Sequence, residues 1–305
     1  MGMISRYSAH GLTWVDIESP SKEEIAHIMH EYQIPEVLAE DMLTSTLHSQ
    51  VDVYDNLLYL ILHLPPSSQN EDRSTDQEID FIIAKDFIIT IHYEKIHSIE
   101  KIATFFEKEF THRSHSTHAG FLFAEMMRET YRHILHKLDT MTHTLDTLEI
   151  NLFRGTEEYM VKTLSIVHRK LLDFKRTLRF HQNILVSYKE SSERIFGKEY
   201  SYYAEMIIAE FNKVHSIVES NNDTIAELQR TNDSLLSTKQ NTIMKRFTIL
   251  SFVTFPLMLV TGIFGMNTSE SILFIQTHTD FFFVIGAMVL TSATMFTFFK
   301  LNRWL

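Results

Sequence analysis

Apolar and polar positions along the chain fall into three successive regimes. In the first, residues 1–110, short apolar runs of strand length alternate with helix-like stretches. Leu12–Ile17, Tyr54–Leu64, Ile79–Ala84 and Phe87–His92 read as strands, with Pro65-Pro66 and the polar Ser67–Gln77 stretch between the second and third. Ser21-Lys22-Glu23-Glu24, directly after Pro20, matches a capping box with Ser21 as N-cap and Glu24 at the third helical position. The mixture predicts an α/β domain over residues 1–120, closed by a Thr111–Gly120 linker.

In the second regime, residues 121–246, the spacing becomes heptad. Met127, Tyr131, Ile134, Leu138, Met141, Leu145, Leu148 and Leu152 form one seam; Met160, Leu164, Val167, Leu171, Phe174, Leu178, His181, Leu185 and Tyr188 form a second. Ile207, Phe211, Val214, Val218, Asn221, Ile225, Leu228, Asn232 and Leu235 form a third. Three such seams predict long helices packed at shallow angles as a helical stalk, with breaks at Arg154-Gly155 and Ser191–Gly197. The third helix meets no breaker from about Tyr202 to Pro256, so it runs on into the next regime.

The third regime, residues 247–305, holds two apolar runs, Phe247–Met266 and Phe281–Phe299, and no Lys or Arg between Phe247 and Phe299. About 20 residues at about 1.5 Å each span the roughly 30 Å hydrocarbon core of a bilayer. The runs therefore predict a two-helix membrane hairpin with an outer loop at 267–280. Lys239, Lys245 and Arg246 precede the first span and Lys300 and Arg303 follow the second, which places both chain ends in the cytosol. Trp304 suits the inner interface. Two helices cannot enclose an aqueous path, so a conducting protein of this design is a homo-oligomer around a central pore.

Composition narrows the function. The net charge of −11 argues against nucleic acid as the main partner. With no cysteine, disulfides, thiolate metal sites and cysteine nucleophiles are excluded. No secretory signal is read near Arg6, Ser8 and Ala9. No Gly-rich phosphate loop followed by Lys and Ser/Thr occurs, and no nucleophile or hydrolase constellation organises the carboxylates and histidines. The expectation is a protein that is no enzyme and uses no nucleotide.

Gly265-Met266-Asn267 closes the first span, preceded by Gly262 and Phe264. The segment Pro256–Asn267 resembles the signature of the CorA family of metal-ion transporters at the outer end of its pore helix. Trp14–Ile17, Pro35, Leu38–Leu43, Val51–Asn56, Ile79–Phe81 and Ile88–His92 resemble that family's cytosolic domain, so the likeness covers nearly the whole chain. It implies an α+β membrane protein: an α/β cytosolic domain, long stalk helices, two C-terminal transmembrane helices and a funnel-shaped homopentamer in the inner (plasma) membrane. It implies transport of Mg²⁺, and in some members Co²⁺, Ni²⁺ or Zn²⁺. This chain departs from the family's usual residues at Phe264, where tyrosine is common, and at Met258, where threonine is common. Glu270 stands in a different register from the usual loop acid.

Mg²⁺ dehydrates reluctantly, so a filter for it contacts the hydration shell. A ring of Asn267 amides, with Gly265 carbonyls nearby, can accept hydrogen bonds from ion-bound water. Gly265, Met266 and Asn267 are the expected selectivity filter, although Gly and Asn also simply favour helix ends. Asn241, Met244, Phe247, Ser251, Phe255, Met258 and Gly262 share one helix face, which the resemblance turns toward the pore axis. Met244 and Phe247 would form a hydrophobic constriction there; taken singly, each better suits lipid or a neighbouring helix. Glu270 and Asp280 either attract cations or are ordinary solvated loop residues.

The resemblance implies closure by cytosolic Mg²⁺ at acidic sites between subunits. Met206 stands where the family's key aspartate falls, and Glu205, Glu210, Glu71 and Asp72 are the candidate regulatory ligands. His112, His115 and His118 recur every third residue, as a metal site or a polar linker, and His181 reads as a packed core histidine. Flow is passive, since an interior-negative potential favours a divalent cation by about 4.6 kcal/mol per 100 mV. Two rival readings stand beside a Mg²⁺ channel: a Zn²⁺ transporter of the same superfamily, and a membrane-anchored helical scaffold that transports nothing.

Overall fold

The structure is a computed structural model that describes residues 3–46, 48–66, 76–108, 118–154, 157–265 and 278–302. Its contacts group into two compact units, Met1–Gln229 and Arg230–Leu305.

The first unit is built on one six-stranded sheet, ordered β1-β2-β6-β5-β4-β3. Strands β1 (Met3–Ala9) and β2 (Leu12–Glu18) form a hairpin through His10 and Gly11, both at positive φ, which suits a two-residue turn. Strand β2 pairs in parallel with β6 (Phe87–His92), and β6 with β5 (Gln77–Ile83), β5 with β4 (Leu58–Leu64) and β4 with β3 (Gln50–Val53) are antiparallel. The apolar run expected as one strand over Tyr54–Leu64 is divided. Tyr54 N–H donates to the Leu57 carbonyl in a turn, and the strand begins at Leu58. Strand β1 is an edge strand whose positions are exposed or half-covered and none buried, so it shows no apolar alternation to predict it by.

The Ser21 capping box opens helix α1 (Lys22–Tyr32): the Ser21 hydroxyl accepts from Glu24 N–H and the Glu24 carboxylate from Ser21 N–H. Helix α1 and the short turns at Glu36–Leu38 and Asp41–Leu43 cover one face of the sheet. There Ile25, Ile28, Leu38 and Met42 bury against Val15, Ile17, Tyr59, Ile61, Ile82, Ile89 and Ile91. The opposite face carries Trp14, Phe81 and Ile88, and receives helices α2 (His97–Lys108), α3 (Ala119–Asn151), α4 (Glu157–Leu178) and α5 (His181–Phe196). Ring contacts tie the layers: Phe81 meets Phe123 edge-on at 5.1 Å, and Phe123 meets Tyr188 at 4.8 Å.

The helical seams are largely buried, but two expectations need correction. The second seam is not one helix. It breaks at Arg179 and Phe180 into α4 and α5, with no Gly or Pro to mark the break. Seam residues on both sides, Leu178 and His181, still bury, so two helices share one apolar stripe. Gly120 is not part of a linker, because α3 begins at Ala119. A Cβ on Gly120 would stand 2.5 Å from the Tyr200 ring, so the glycine lets that ring close on the helix. His181 is a core histidine as expected. Its Nε2 lies 2.8 Å from the His63 carbonyl oxygen and so bears the hydrogen; its Nδ1 is then free to accept from Tyr131 Oη at 3.0 Å. Burial pushes its pKa down to about 4, which keeps this neutral tautomer.

Helix α6 (Lys198–Gly265) is continuous through both units. In the second unit its lower part and α7 (His278–Leu301) are the two helices long and apolar enough to cross a membrane.

Candidate ion pathway

The two spans have the backbone and side-chain chemistry a lipid environment requires. Each is a continuous helix, so its backbone groups are paired internally. The hydroxyls fold back as well. Thr248, Ser251 and Thr254 donate to the carbonyls of Met244, Phe247 and Leu250, and Thr291, Thr294 and Thr297 to those of Ala287, Leu290 and Ala293. Pro256 interrupts α6 without ending it.

Coverage divides α6 into two faces. Ile249, Val253, Pro256, Leu257 and Val260 are partly covered, at spacings of three, four and one. On α7 the covered positions are Val284, Met288, Thr291, Ser292, Met295 and Phe299, again a single stripe, and Phe252 meets Phe299 ring to ring at 6.3 Å. The expected pore face lies elsewhere. Asn241, Met244, Phe247, Ser251, Phe255, Met258 and Gly262 are all exposed, with Phe247 at 62%, Phe255 at 72% and Met258 at 70%. At about 100° per residue, Ser251, Phe255, Met258 and Gly262 point roughly opposite to Ile249, Val253 and Val260. The face in question is therefore the one that pairing within the hairpin leaves open. A Cβ on Gly262 or Gly265 would meet nothing within 4 Å among the described residues, so packing within the chain does not require glycine at either place.

Gly265 is the last described residue of α6; Met266, Asn267 and Glu270 lie outside the described residues. Asp280 falls in the first turn of α7. Trp304 and Arg303 are likewise outside.

Of the four acids expected to regulate, Glu71 and Asp72 lie outside the described residues. Glu205 and Glu210 are both on α6, five residues and about 140° apart around its axis, so they do not converge on one ion within the chain. Lys189 Nζ stands 2.7 Å from Glu205 and Lys213 Nζ 2.8 Å from Glu210. Glu205 is 61% exposed, and solvent screens a surface pair of this kind. Of the three linker histidines, His112 and His115 lie outside the described residues. His118 precedes α3 with its ring 4.5 Å from Tyr200 and 4.9 Å from Tyr203, and burial lowers its pKa. Among the described residues no group of three or more His, Asp or Glu is disposed to hold a metal ion.

Sequence reasoning missed a polar network inside the sheet layer. Glu78 accepts from the Ser45 hydroxyl, the Thr46 N–H and the Thr46 hydroxyl, and lies 3.1 Å from His63 Nε2. Asp80, wholly buried, accepts from Tyr59 Oη at 2.8 Å. Burial pulls the His63 pKa down, but the Glu78 contact and charge together hold it raised. Burial would raise the Glu78 pKa, yet His63, Ser45 and Thr46 hold it low. On the other sheet face Trp14 Nε1 donates to Thr90 Oγ1, Thr90 donates to Asp16, and His92 Nε2 contacts Asp16 at 3.3 Å. The signal in the sequence was Glu78 and Asp80 at alternate positions of a strand whose remaining residues after Gln77 are apolar.

Comparison with known proteins agrees with this architecture. Residues 9–301 match the family described as CorA-like Mg²⁺ transporter protein. The cobalt/magnesium transport protein CorA of Thermotoga maritima is 21% identical over 299 residues, 96% of this chain and 83% of that protein. The complete structure of the CorA magnesium transporter from Methanocaldococcus jannaschii superposes with a TM-score of 0.83 at 22% identity, covering 96% of this chain and 92% of that one. The ZntB cytoplasmic domain from Vibrio parahaemolyticus superposes with a TM-score of 0.65 at 15% identity, covering 78% of this chain and 100% of that one.

Proposed function

The chain belongs to the CorA-like Mg²⁺ transporter protein family and is a divalent metal transporter of the membrane, not an enzyme; from that premise we propose that it carries Mg²⁺. Entry is passive, down the electrochemical gradient, with Co²⁺ and Ni²⁺ as further cargo. The working unit is a homopentamer in the inner membrane with both chain ends cytoplasmic. Residues 1–120 form its cytosolic α/β domain, 121–246 the stalk and 247–305 the membrane hairpin.

One observation carries the reading: the face of α6 bearing Asn241, Met244, Phe247, Ser251, Phe255, Met258 and Gly262 is left open by the hairpin. A pentamer would enclose five such faces around its axis. The mouth would be ringed by Gly265, Met266 and Asn267, whose amides accept hydrogen bonds from the waters of a hydrated ion. Ser251 donates its hydrogen to the Phe247 carbonyl and keeps lone pairs for the same purpose. Met244 and Phe247 give a constriction that stays dry when closed. Glu270 and Asp280 raise the cation concentration at the entrance. Cytosolic Mg²⁺ closes the path by binding Glu205 or Glu210 of one subunit with Glu71 and Asp72 of another.

Phe264 and Met258 remove polar groups beside the filter, so selectivity is the point to test. Purified protein in liposomes would be offered Mg²⁺ and Zn²⁺ in competition, with and without a pH gradient. Uptake of Mg²⁺ driven by an interior-negative potential alone supports the proposal. Uptake of Zn²⁺ that requires the pH gradient, with no Mg²⁺ entry, would replace it by a proton-coupled Zn²⁺ transporter.

A further inference from the structure

We infer that Asp80 and Glu78 form a buried proton-binding site, in which Asp80 holds one proton on Oδ1 and donates it to the Glu78 carboxylate. The two residues alternate on β5 and so project to the same face of the sheet, where the Glu78 carboxylate is the charge that most strongly disfavours ionisation of Asp80. Asp80 Oδ2 receives the Tyr59 hydroxyl hydrogen, but Oδ1 meets no donor among the described residues. Two carboxylates cannot bond to each other without a proton between them. Glu78 already takes hydrogens from Ser45, from both the N–H and the hydroxyl of Thr46, and from His63 Nε2. Nε2 must carry hydrogen, because its other neighbour, 3.0 Å away, is the Thr46 carbonyl oxygen. Glu78 is thus provided for as an anion and Asp80 is not. The proton belongs to Asp80.

The surroundings point the same way. Burial, then the charge of Glu78, push the Asp80 carboxyl well above the usual range, and Asp41 adds to the push. The titratable groups around the pair are Tyr59 and His63 from β4, Asp41 from the turn above, Asp52 from β3 and Tyr93 after β6, whose hydroxyl donates to the Asp41 carbonyl. Helix α1 contributes Ile25, Ile28 and Met29 to this layer's buried core, with Tyr32 packed against it. The site also connects with the helical layer, since the His63 carbonyl that flanks it accepts from His181 Nε2, and His181 in turn accepts from Tyr131.

The test is infrared spectroscopy of the full-length protein in detergent at neutral pH, with aspartate carboxyls ¹³C-labelled. A protonated-carboxyl C=O band that shifts on labelling and vanishes in Asp80→Asn is the expected result. Asn at this position keeps both bonds, with its carbonyl accepting from Tyr59 and its amide donating to Glu78. Asp80→Asn should therefore unfold within a few degrees of wild type, whereas Asp80→Leu should unfold far lower. No label-sensitive protonated band in wild type would overturn the assignment without recourse to any variant. So would loss of the band on adding Mg²⁺, which would make the pair a cation site.

Discussion

Gly120 shows how one atom sets the junction of α3 with α6. The Tyr200 ring occupies the place a Cβ would take, and its hydroxyl donates to the Lys85 carbonyl at 3.4 Å, so the ring has no easy retreat. Overpacking of this kind costs about 1–3 kcal/mol. Gly120→Ala is expected to lower the thermal midpoint of the purified protein, and an unchanged midpoint would show that the ring can move. His63 and Glu78 give a pH dependence with a definite sign. The His63 pKa is raised, so its contribution is full below the ordinary histidine range and is lost as pH rises through the raised value. The Glu78 pKa is lowered, so its contribution is present above the ordinary carboxylate range and is lost as pH falls through the lowered value. Unfolding followed between pH 5 and 9 should show stability declining on the alkaline side of the histidine range, less steeply in His63→Gln. An equal slope in the variant would remove His63 from the account.

At the scale of elements, the membrane hairpin has a covered stripe and an open face, and the two should respond differently to the same change. Val253→Asn puts an amide into the partly covered stripe of α6 and should weaken the hairpin. Phe255→Asn, on the exposed face, should leave folding intact and alter flux instead. Gel-filtration profiles and liposome uptake of the two variants would separate these effects; identical behaviour would mean that the faces are misassigned. Elements were legible in the sequence where their cause is local. The Ser21 capping box, the apolar runs of β5 and β6 and the third seam all carry their signal within a few residues. Strand β1 carried none, because an edge strand with one partner needs no apolar alternation. Helix α2 did carry one, in Ile99, Ile102 and Phe106, which are all buried. The break at Arg179 and Phe180 has no local mark; it follows from how α4 and α5 pack on the sheet. The same division holds for the polar sites. Glu78 and Asp80 could be seen as odd residues in an apolar strand, but Ser45, Thr46 and His63 reach them only through folding over sequence distances that no pattern encodes.

At the scale of the molecule, α6 is the one element common to both compact units, running unbroken from Lys198 to Gly265. Ligand binding on its cytosolic part, as proposed, would have a continuous covalent route toward the face proposed to line the pore. Under the proposed gating, Mg²⁺ should protect the stalk from proteolysis, and Glu205→Ala should need several-fold more Mg²⁺ for the same protection; an unchanged requirement would remove Glu205 from the sensor. On the proposed mechanism ions pass along the open face of α6 and through a ring of Asn267. Liposomes loaded with a Mg²⁺-sensitive dye and carrying either wild type or Asn267→Ala test this path. Mg²⁺ uptake by wild type that falls at least tenfold in the variant, with the oligomer intact, is the predicted result. Equal uptake by the two proteins, or no ion flux through intact wild-type oligomers, would contradict it.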